Sequence, residues 1–438
     1  MSDSSESVQR ASSPTQEHAF RNGPRITAIE TLIPTDIMSG LLLLRIHTDA
    51  GTVGGETVIG HGETYYIPHA VASTLHDWMS RRLLGADATA IESHWRFLYE
   101  RGTAFGVRGC ELRALSAIDL ALWDILGQLT QQPVWKLLGG PVRDRIPVYN
   151  SCGGPTYGRR PHFAEGAKEP ATSGWPGHGD LGKPGPLEDN YNSAHHPGDL
   201  AEELLSEGYT AMKLWSLDQV YKQHGGHRIS WGDLEEGLRP FREIRERVGL
   251  KMEVMLDGHG FFSLPAALRI AEAMRELKPL WLEDVIRPDC VDTIADFRDR
   301  AGVPIAVSEM LVSREEYRLV LQRRAADYAM IDPTWVGGIS ETRRAAELAQ
   351  AFNIPSLMHD CTGPLTLFAG LHVTAACAAV TYQETVRAHI RTLYPLLIDQ
   401  PPKVEAGHIA LPTRPGLGVR LLDELFTPDH PGYRITRL

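Results

Sequence analysis

In the stretch KMEVMLDGHG an apolar run ends in a carboxylate and an imidazole two residues apart, Asp257 and His259. Successive strand side chains alternate faces, so the two point to one side if the strand continues. Alone, the pair reads equally as a helix N-cap Asp beside a loop His. The same pattern recurs, however. Seven successive apolar runs end in Lys213, in Asp257 with His259, in Glu283, Glu309, Asp332, His359 and Glu384. Each could singly be a cap or a solvated loop residue, but seven in a row point to one site.

The residue types sort the chemistry. Asp257, Glu283 and Glu309 follow one another at intervals of 26 residues. Three carboxylates brought together repel unless a hard cation neutralises them, and an oxygen-only set suits Mg²⁺ with positions left for substrate. Zinc would call for more His or Cys. Asp332 and His359 end neighbouring runs, where a carboxylate orients an imidazole and raises its basicity. Lys213 is a cation available to a substrate carboxylate or to proton transfer.

These residues converge only if the right elements carry them. RITAIETLIP and LLLLRIHTDAG read as two strands with a turn at Asp49-Ala50-Gly51, and LHDWMSRRLLG, ATAIESHWRFLYERG and ELRALSAIDLALWDILGQLTQQPVWKLLGG carry helical spacing. Strands followed by helices predict a small α+β domain over about 25–140. Beyond it strands alternate with amphipathic segments: IPVYNSCG, AMKLWS, KMEVMLDGHG, PLWLEDVI, PIAVSEML, YAMIDPTW, IPSLMHDC and AVTYQETV. Eight such units predict a closed (β/α)8 barrel, with all strand ends at one mouth. Residues 154–197, crowded with Gly, Pro, His and Tyr after the first strand, read as a lid or a subunit contact, and residues 1–22 as a disordered tail.

Bulk properties narrow the class further. The net charge of −11 argues against a nucleic-acid partner. The five cysteines (Cys110, Cys152, Cys290, Cys361 and Cys377) are scattered with no CxxC pair, so neither a disulfide framework nor a structural zinc site is expected. There is no signal-peptide core and no apolar run of about 20 residues, which predicts a cytoplasmic protein without a membrane partner.

The set of strand ends resembles the enolase superfamily, in its mandelate racemase-like branch, and ALSAIDLALWDILGQLTQQPVWKLLGG is similar to the signature that closes the family's capping domain. The resemblance implies an N-terminal α+β capping domain over 23–142, a modified TIM barrel over 143–405, and a final segment, 406–438, returning to the capping domain. It implies one Mg²⁺ per subunit on Asp257, Glu283 and Glu309, an Asp332–His359 dyad, and Glu384 hydrogen-bonded to the substrate carboxylate or enolate oxygen. Lys213 matches the residue that neutralises the substrate carboxylate, and a homo-oligomer is implied by analogy. One position departs: the family's racemases carry Lys-x-Lys on the second strand, whereas here Trp215 stands in place of the second lysine, which disfavours racemisation. Asp-x-His on the third strand, with HDCTGPL after the seventh, resembles the sugar-acid dehydratases acting on galactonate and mannonate. His259 is then expected near the leaving hydroxyl, giving a dehydratase of an aldonate or aldarate that forms a 2-keto-3-deoxy acid.

Other readings predict different residues or different outcomes. Epimerisation or cycloisomerisation of a sugar acid or lactone would use the same enediolate. A non-catalytic binding protein would have no need of Asp332 behind His359. A metal-dependent hydrolase would want His-x-His on the first strand, and VYNSCGG has none. GHGETYY (60–66), Arg108 and Trp335 stand outside the expected catalytic set.

Overall fold

Four consecutive leucines open LLLLRIH because the strand they form is buried on both faces. A computed structural model of the chain describes residues 23–155, 157 and 181–438; the expected tail 1–22 and most of the 154–197 insertion lie outside the described residues. β1 (Ile26–Leu32), β2 (Leu41–Val53) and β3 (Glu56–Tyr65) make an antiparallel sheet, and the terminal strand Tyr433–Arg437 (β14) pairs with β1. Leu42, Leu44 and Ile46 pack on the core formed with the helices Ile91–Gly102 and Cys110–Thr130, while Leu41 and Leu43 join the core of the larger domain. Alternate residues of one strand thus bind two layers together.

One expectation for this region needs correction. The chain does not turn at Asp49–Gly51: β2 runs on to Val53 and reverses at Gly54-Gly55, a two-residue glycine hairpin, leaving only a register shift between His47 and Thr52. Residues 60–65 of GHGETYY form the second half of β3, with Tyr66 just beyond it. Its alternation is hidden by Gly60 and Gly62, where the carbonyls of Ala121 and Ala117 occupy the space a Cβ would need. The helix Cys110–Thr130 therefore lies directly on the strand.

That helix is apolar on nearly every side, and two of its three buried acids act as ties. Asp119 accepts hydrogen bonds from Ser340 N (2.9 Å) and Ser340 Oγ (2.6 Å). Asp124 accepts from His61 N (3.0 Å) on β3 and from Leu417 N (2.8 Å).

The larger domain is an all-parallel barrel of eight strands: β4 (Arg145–Ser151), β5 (Ala211–Leu214), β6 (Glu253–Asp257), β7 (Trp281–Glu283), β8 (Ile305–Val307), β9 (Tyr328–Ile331), β10 (Ser356–Met358) and β11 (Val380–Thr385). Each pairs with the next, and β11 closes on β4. The alternation read in the sequence is all present. A hairpin of β12 (Val404–Glu405) and β13 (His408–Ala410) extends β4 antiparallel before the chain returns to β1 through β14. Inside the barrel, Tyr149, Ala211, Met255, Trp281, Ala306, Met330 and Leu357, one from each of the first seven strands, form a buried layer of alternating bulk, with Tyr382 of β11 packed against it. Among the described residues no helix is long and apolar enough to cross a membrane.

Candidate active site

Moving two residues along each strand from that apolar layer reaches the next inward-facing position. On β4 to β11 these positions hold Ser151, Lys213, Asp257, Glu283, Ser308, Asp332, His359 and Glu384, and all eight are buried. An apolar floor thus carries a polar ring, which is why ionisable residues ended so many apolar runs. Glu309 enters one residue later, from the loop after β8, and is also buried.

Lys213 sits at the centre of the acids. Its Nζ lies 2.6 Å from Glu283 Oε1, 2.9 Å from Glu384 Oε1 and 3.4 Å from Asp257 Oδ2. Burial opposes the ammonium charge, but Glu283 and Glu384 outweigh it and hold the proton on well above the usual lysine range. Glu384 also accepts from Ser151 Oγ, from Cys361 Sγ (3.2 Å) and from Asp360 N (3.2 Å). Burial alone would push this acid up; Lys213 and His359 reverse that and bring it to about 2. Glu283 goes the other way. Burial, joined by the Asp257, Glu384 and Glu309 charges, pushes it up to about 8 against the pull of Lys213.

Two histidines line the mouth from strands four apart in a ring of eight, so they face the pocket from opposite sides. His359 Nδ1 is 2.7 Å from Asp332 Oδ2, leaving Nε2 toward the pocket, 3.9 Å from Glu384 Oε2. Burial disfavours its cation, yet Glu384 and the Asp332 hydrogen bond raise its proton affinity well above the ordinary value. His259 does not continue its strand as expected. β6 stops at Asp257, and His259 takes a left-handed backbone conformation, with its N–H donated to Asp257 Oδ1 at 3.0 Å. The side chain still comes to the acids: Nε2 is 3.6 Å from Asp257 Oδ2, and Nδ1 is 3.0 Å from Asp218 Oδ1. Burial would lower this imidazole, but Asp218 and Asp257 hold it up at about 9. The pocket thus has two carboxylate-backed imidazoles.

Asp218 is the clearest residue that sequence reasoning missed. It opens a short helix just after β5, where an acid reads as an ordinary helix-start residue. Its distance of 41 positions from His259 gave no local signal. Trp215, in place of the family's lysine, lies 5.8 Å from the His259 ring and 4.8 Å from Tyr157 between ring centroids. Trp335, left out of the expected set, lines the pocket beside His359, and Tyr65 and Tyr66 of GHGETYY line it too. Arg108 is elsewhere, paired with Glu316 on the helix Ser313–Gln322. A larger cleft of about 750 Å³ opens between the helices Ile91–Gly102 and Gly338–Ala351, but the convergent acids and imidazoles are not in it.

The donor set fits a hard divalent cation. Asp257, Glu283 and Glu309 supply only oxygens, burial and the neighbouring carboxylates hold Glu283 up, and Glu309 Oε2 is buried without a hydrogen-bond partner. The donor atoms that cluster most tightly among the described residues are those of His359, Cys361 and Glu384, within 4.8 Å of one another at the neighbouring strand ends. They stand beside the three expected acids, and Lys213 lies among those acids.

Residues 198–425 match the family model described as enolase C-terminal domain-like, and residues 16–139 match the mandelate racemase / muconate lactonizing enzyme N-terminal domain. The chain belongs to the enolase superfamily. Among its superfamily relatives, the arabinonate dehydratase of Saccharolobus solfataricus is 27% identical over 372 residues, which is 84% of this chain and 86% of that protein. A D-galactonate dehydratase family member of Streptomyces bingchenggensis is 29% identical over 93% of this chain and 94% of its own length. Among solved structures, an enolase protein from the environmental genome shotgun sequencing of the Sargasso Sea superimposes with a TM-score of 0.79. It is 33% identical, over 94% of this chain and 98% of that one.

Proposed function

We propose that the chain is a Mg²⁺-dependent dehydratase of a sugar acid, an aldonate or aldarate. The observation that carries this reading is the pair of buried imidazoles, His359 on Asp332 and His259 on Asp218, facing one pocket from opposite sides of the barrel. Removing a proton beside a carboxylate and expelling the neighbouring hydroxyl needs one base and one acid, held apart across the substrate. In this reading His359 Nε2 takes the α-proton, and the resulting imidazolium is held by Asp332 and Glu384. His259, kept protonated by its two acids, delivers a proton to the departing β-hydroxyl, and the enol relaxes to a 2-keto-3-deoxy acid. Lys213 meets the substrate's carboxylate end, with charge developing there on reaction. Asp257, Glu283 and Glu309 would hold Mg²⁺, which supplies Lewis-acid stabilisation of that charge when bound. The dehydratase names of relatives spanning most of this chain support the same chemistry.

A second reading has an observation of its own. Trp215 removes the family's second-strand base, but His259 with Asp218 offers a replacement acid–base group on the second face, as an epimerase needs. The two readings separate by product. The purified protein with Mg²⁺, screened against aldonic and aldaric acids by semicarbazide detection of 2-keto acids, is expected to give a keto product from at least one substrate. Inverted α-carbon stereochemistry with no keto product would overturn dehydration in favour of epimerisation.

A further inference from the structure

Glu63, on β3 of the N-terminal domain, reaches across to the barrel. It is fully buried, and its Oε1 accepts hydrogen bonds from Thr366 N (2.6 Å) and Thr366 Oγ1 (2.7 Å). Thr366 lies in the first turn of the helix Pro364–Ala376, whose own N-cap, Gly363, supplies no side chain. Glu63 therefore caps that helix from another domain, and it fits only because residue 363 is glycine: a Cβ there would meet the carboxylate.

The contact does not stop at the cap. Thr366 Oγ1 is 3.2 Å from Thr334 Oγ1. Thr334 donates its N–H (2.7 Å) and its hydroxyl (2.8 Å) to Asp332 Oδ1, and Asp332 Oδ2 holds His359 Nδ1. A chain of side chains thus runs Glu63, Thr366, Thr334, Asp332, His359, from the N-terminal domain to the expected base. Counting protons shows how its ends communicate. Each threonine has one hydroxyl hydrogen. With both acids ionised, Thr366 donates to Glu63 and Thr334 to Asp332, so nothing bridges the two hydroxyls. With a proton on Glu63, Thr366 can turn its hydrogen to Thr334, and the chain becomes continuous as far as Asp332. Burial pushes Glu63 up to about 7 despite the Thr366 bonds, and a proton on Oε1 would be donated to Thr366 Oγ1.

We infer that Glu63 is a positioning residue for His359, acting through Thr366 and Thr334 on Asp332, so that docking of the N-terminal domain sets the proton affinity of the imidazole. The charged or titratable groups facing this chain are Glu384, Glu309 and Cys361 around the imidazole, Asp360 and Tyr394 beside the cap, and Arg113 near Asp332. The Glu63 charge also raises Asp360 and Tyr394, so Thr334→Val, which leaves Glu63 in place, is the change that isolates the threonine chain.

The test is the titration of His359 in the full-length protein, followed by NMR with labelled histidine in Mg²⁺ buffer and assigned with H359N. It needs no turnover, so it stands or falls separately from the dehydratase reading. Glu63→Gln fixes the position in a neutral form, frees the Thr366 hydroxyl to turn to Thr334, and should lower the proton-binding constant of His359 roughly threefold or more. Thr334→Val removes a donor from Asp332, leaves that carboxylate a stronger partner for the imidazolium, and should move the constant the opposite way. Folded variants with an unmoved titration would reduce Glu63 to a helix cap and overturn the inference. So would a shift in Thr334→Val with none in Glu63→Gln. If Glu63→Gln does not fold, the sign of the Thr334→Val shift decides, and a downward or absent shift overturns the chain.

Discussion

At the scale of single residues, the site is a problem of charge. Asp257, Glu283, Glu309 and Glu384 are buried around one ammonium, Lys213, and burial joined by the neighbouring acids pushes Glu283 up to about 8. Oxygen donors of which one, Glu309 Oε2, is buried without a hydrogen-bond partner are what a hard cation would complete. The residue types told this much without coordinates. They did not tell that Lys213 would contact three of the acids, nor that Asp218 would stand behind His259, because both depend on closure of the barrel. His359 is the residue whose loss should matter most. Replacing it with Asn keeps shape and the Asp332 contact but removes the base, and kcat for the keto product should fall about 10²- to 10⁴-fold. Steady-state assay at saturating substrate checks this, and a fall of less than about tenfold would assign the base elsewhere.

At the scale of elements, the eight barrel strands were legible because each is a short apolar run followed by a helix, and period two explains the charged residue at the end. β3 was not legible. Gly60 and Gly62 break its alternation so that the helix Cys110–Thr130 can lie on it. The segment ALSAIDLALWDILG was legible as a pattern, but the reason for its acids needed the structure. Asp119 satisfies Ser340 at the start of the helix that follows the DPTWVGG loop, so the helix helps hold the strand end carrying Asp332. Asp119→Ala leaves the Ser340 N–H and hydroxyl without that partner, and should cost about 1–3 kcal/mol in urea denaturation. A loss below about 0.5 kcal/mol would mean that the helix is held by apolar packing alone.

At the scale of the whole molecule, three buried acids lie along the seam between the N-terminal domain and the rest of the chain. Glu63 faces Thr366, Asp119 faces Ser340, and Asp124 bridges β3 and Leu417; burial raises each to about 7. Their unfolded values lie near 3.8 to 4.5. A carboxyl whose folded pKa is raised binds its proton more tightly when folded, so its contribution is fully present below the unfolded value and is lost as pH rises through about 7. The urea midpoint should therefore fall between about pH 4 and pH 7, and Asp124→Asn should flatten that fall. An unchanged slope in the variant would remove Asp124 from the account.

The seam also joins the fold to the chemistry, since the same domain contact that buries Glu63 reaches the dyad. The central claim, however, is that His359 and His259 divide base and acid between them. The most direct measurement follows His259→Asn in deuterated water with Mg²⁺ and the substrate found by screening, reading deuterium at the α-carbon by NMR and keto acid by semicarbazide. The account predicts that the variant forms no keto product, or at least a hundredfold less, while α-deuterium appears in recovered substrate at a rate close to wild-type turnover. Loss of both signals in a folded, Mg²⁺-binding variant, or dehydration continuing unchanged, would contradict the assignment of His259 as the acid.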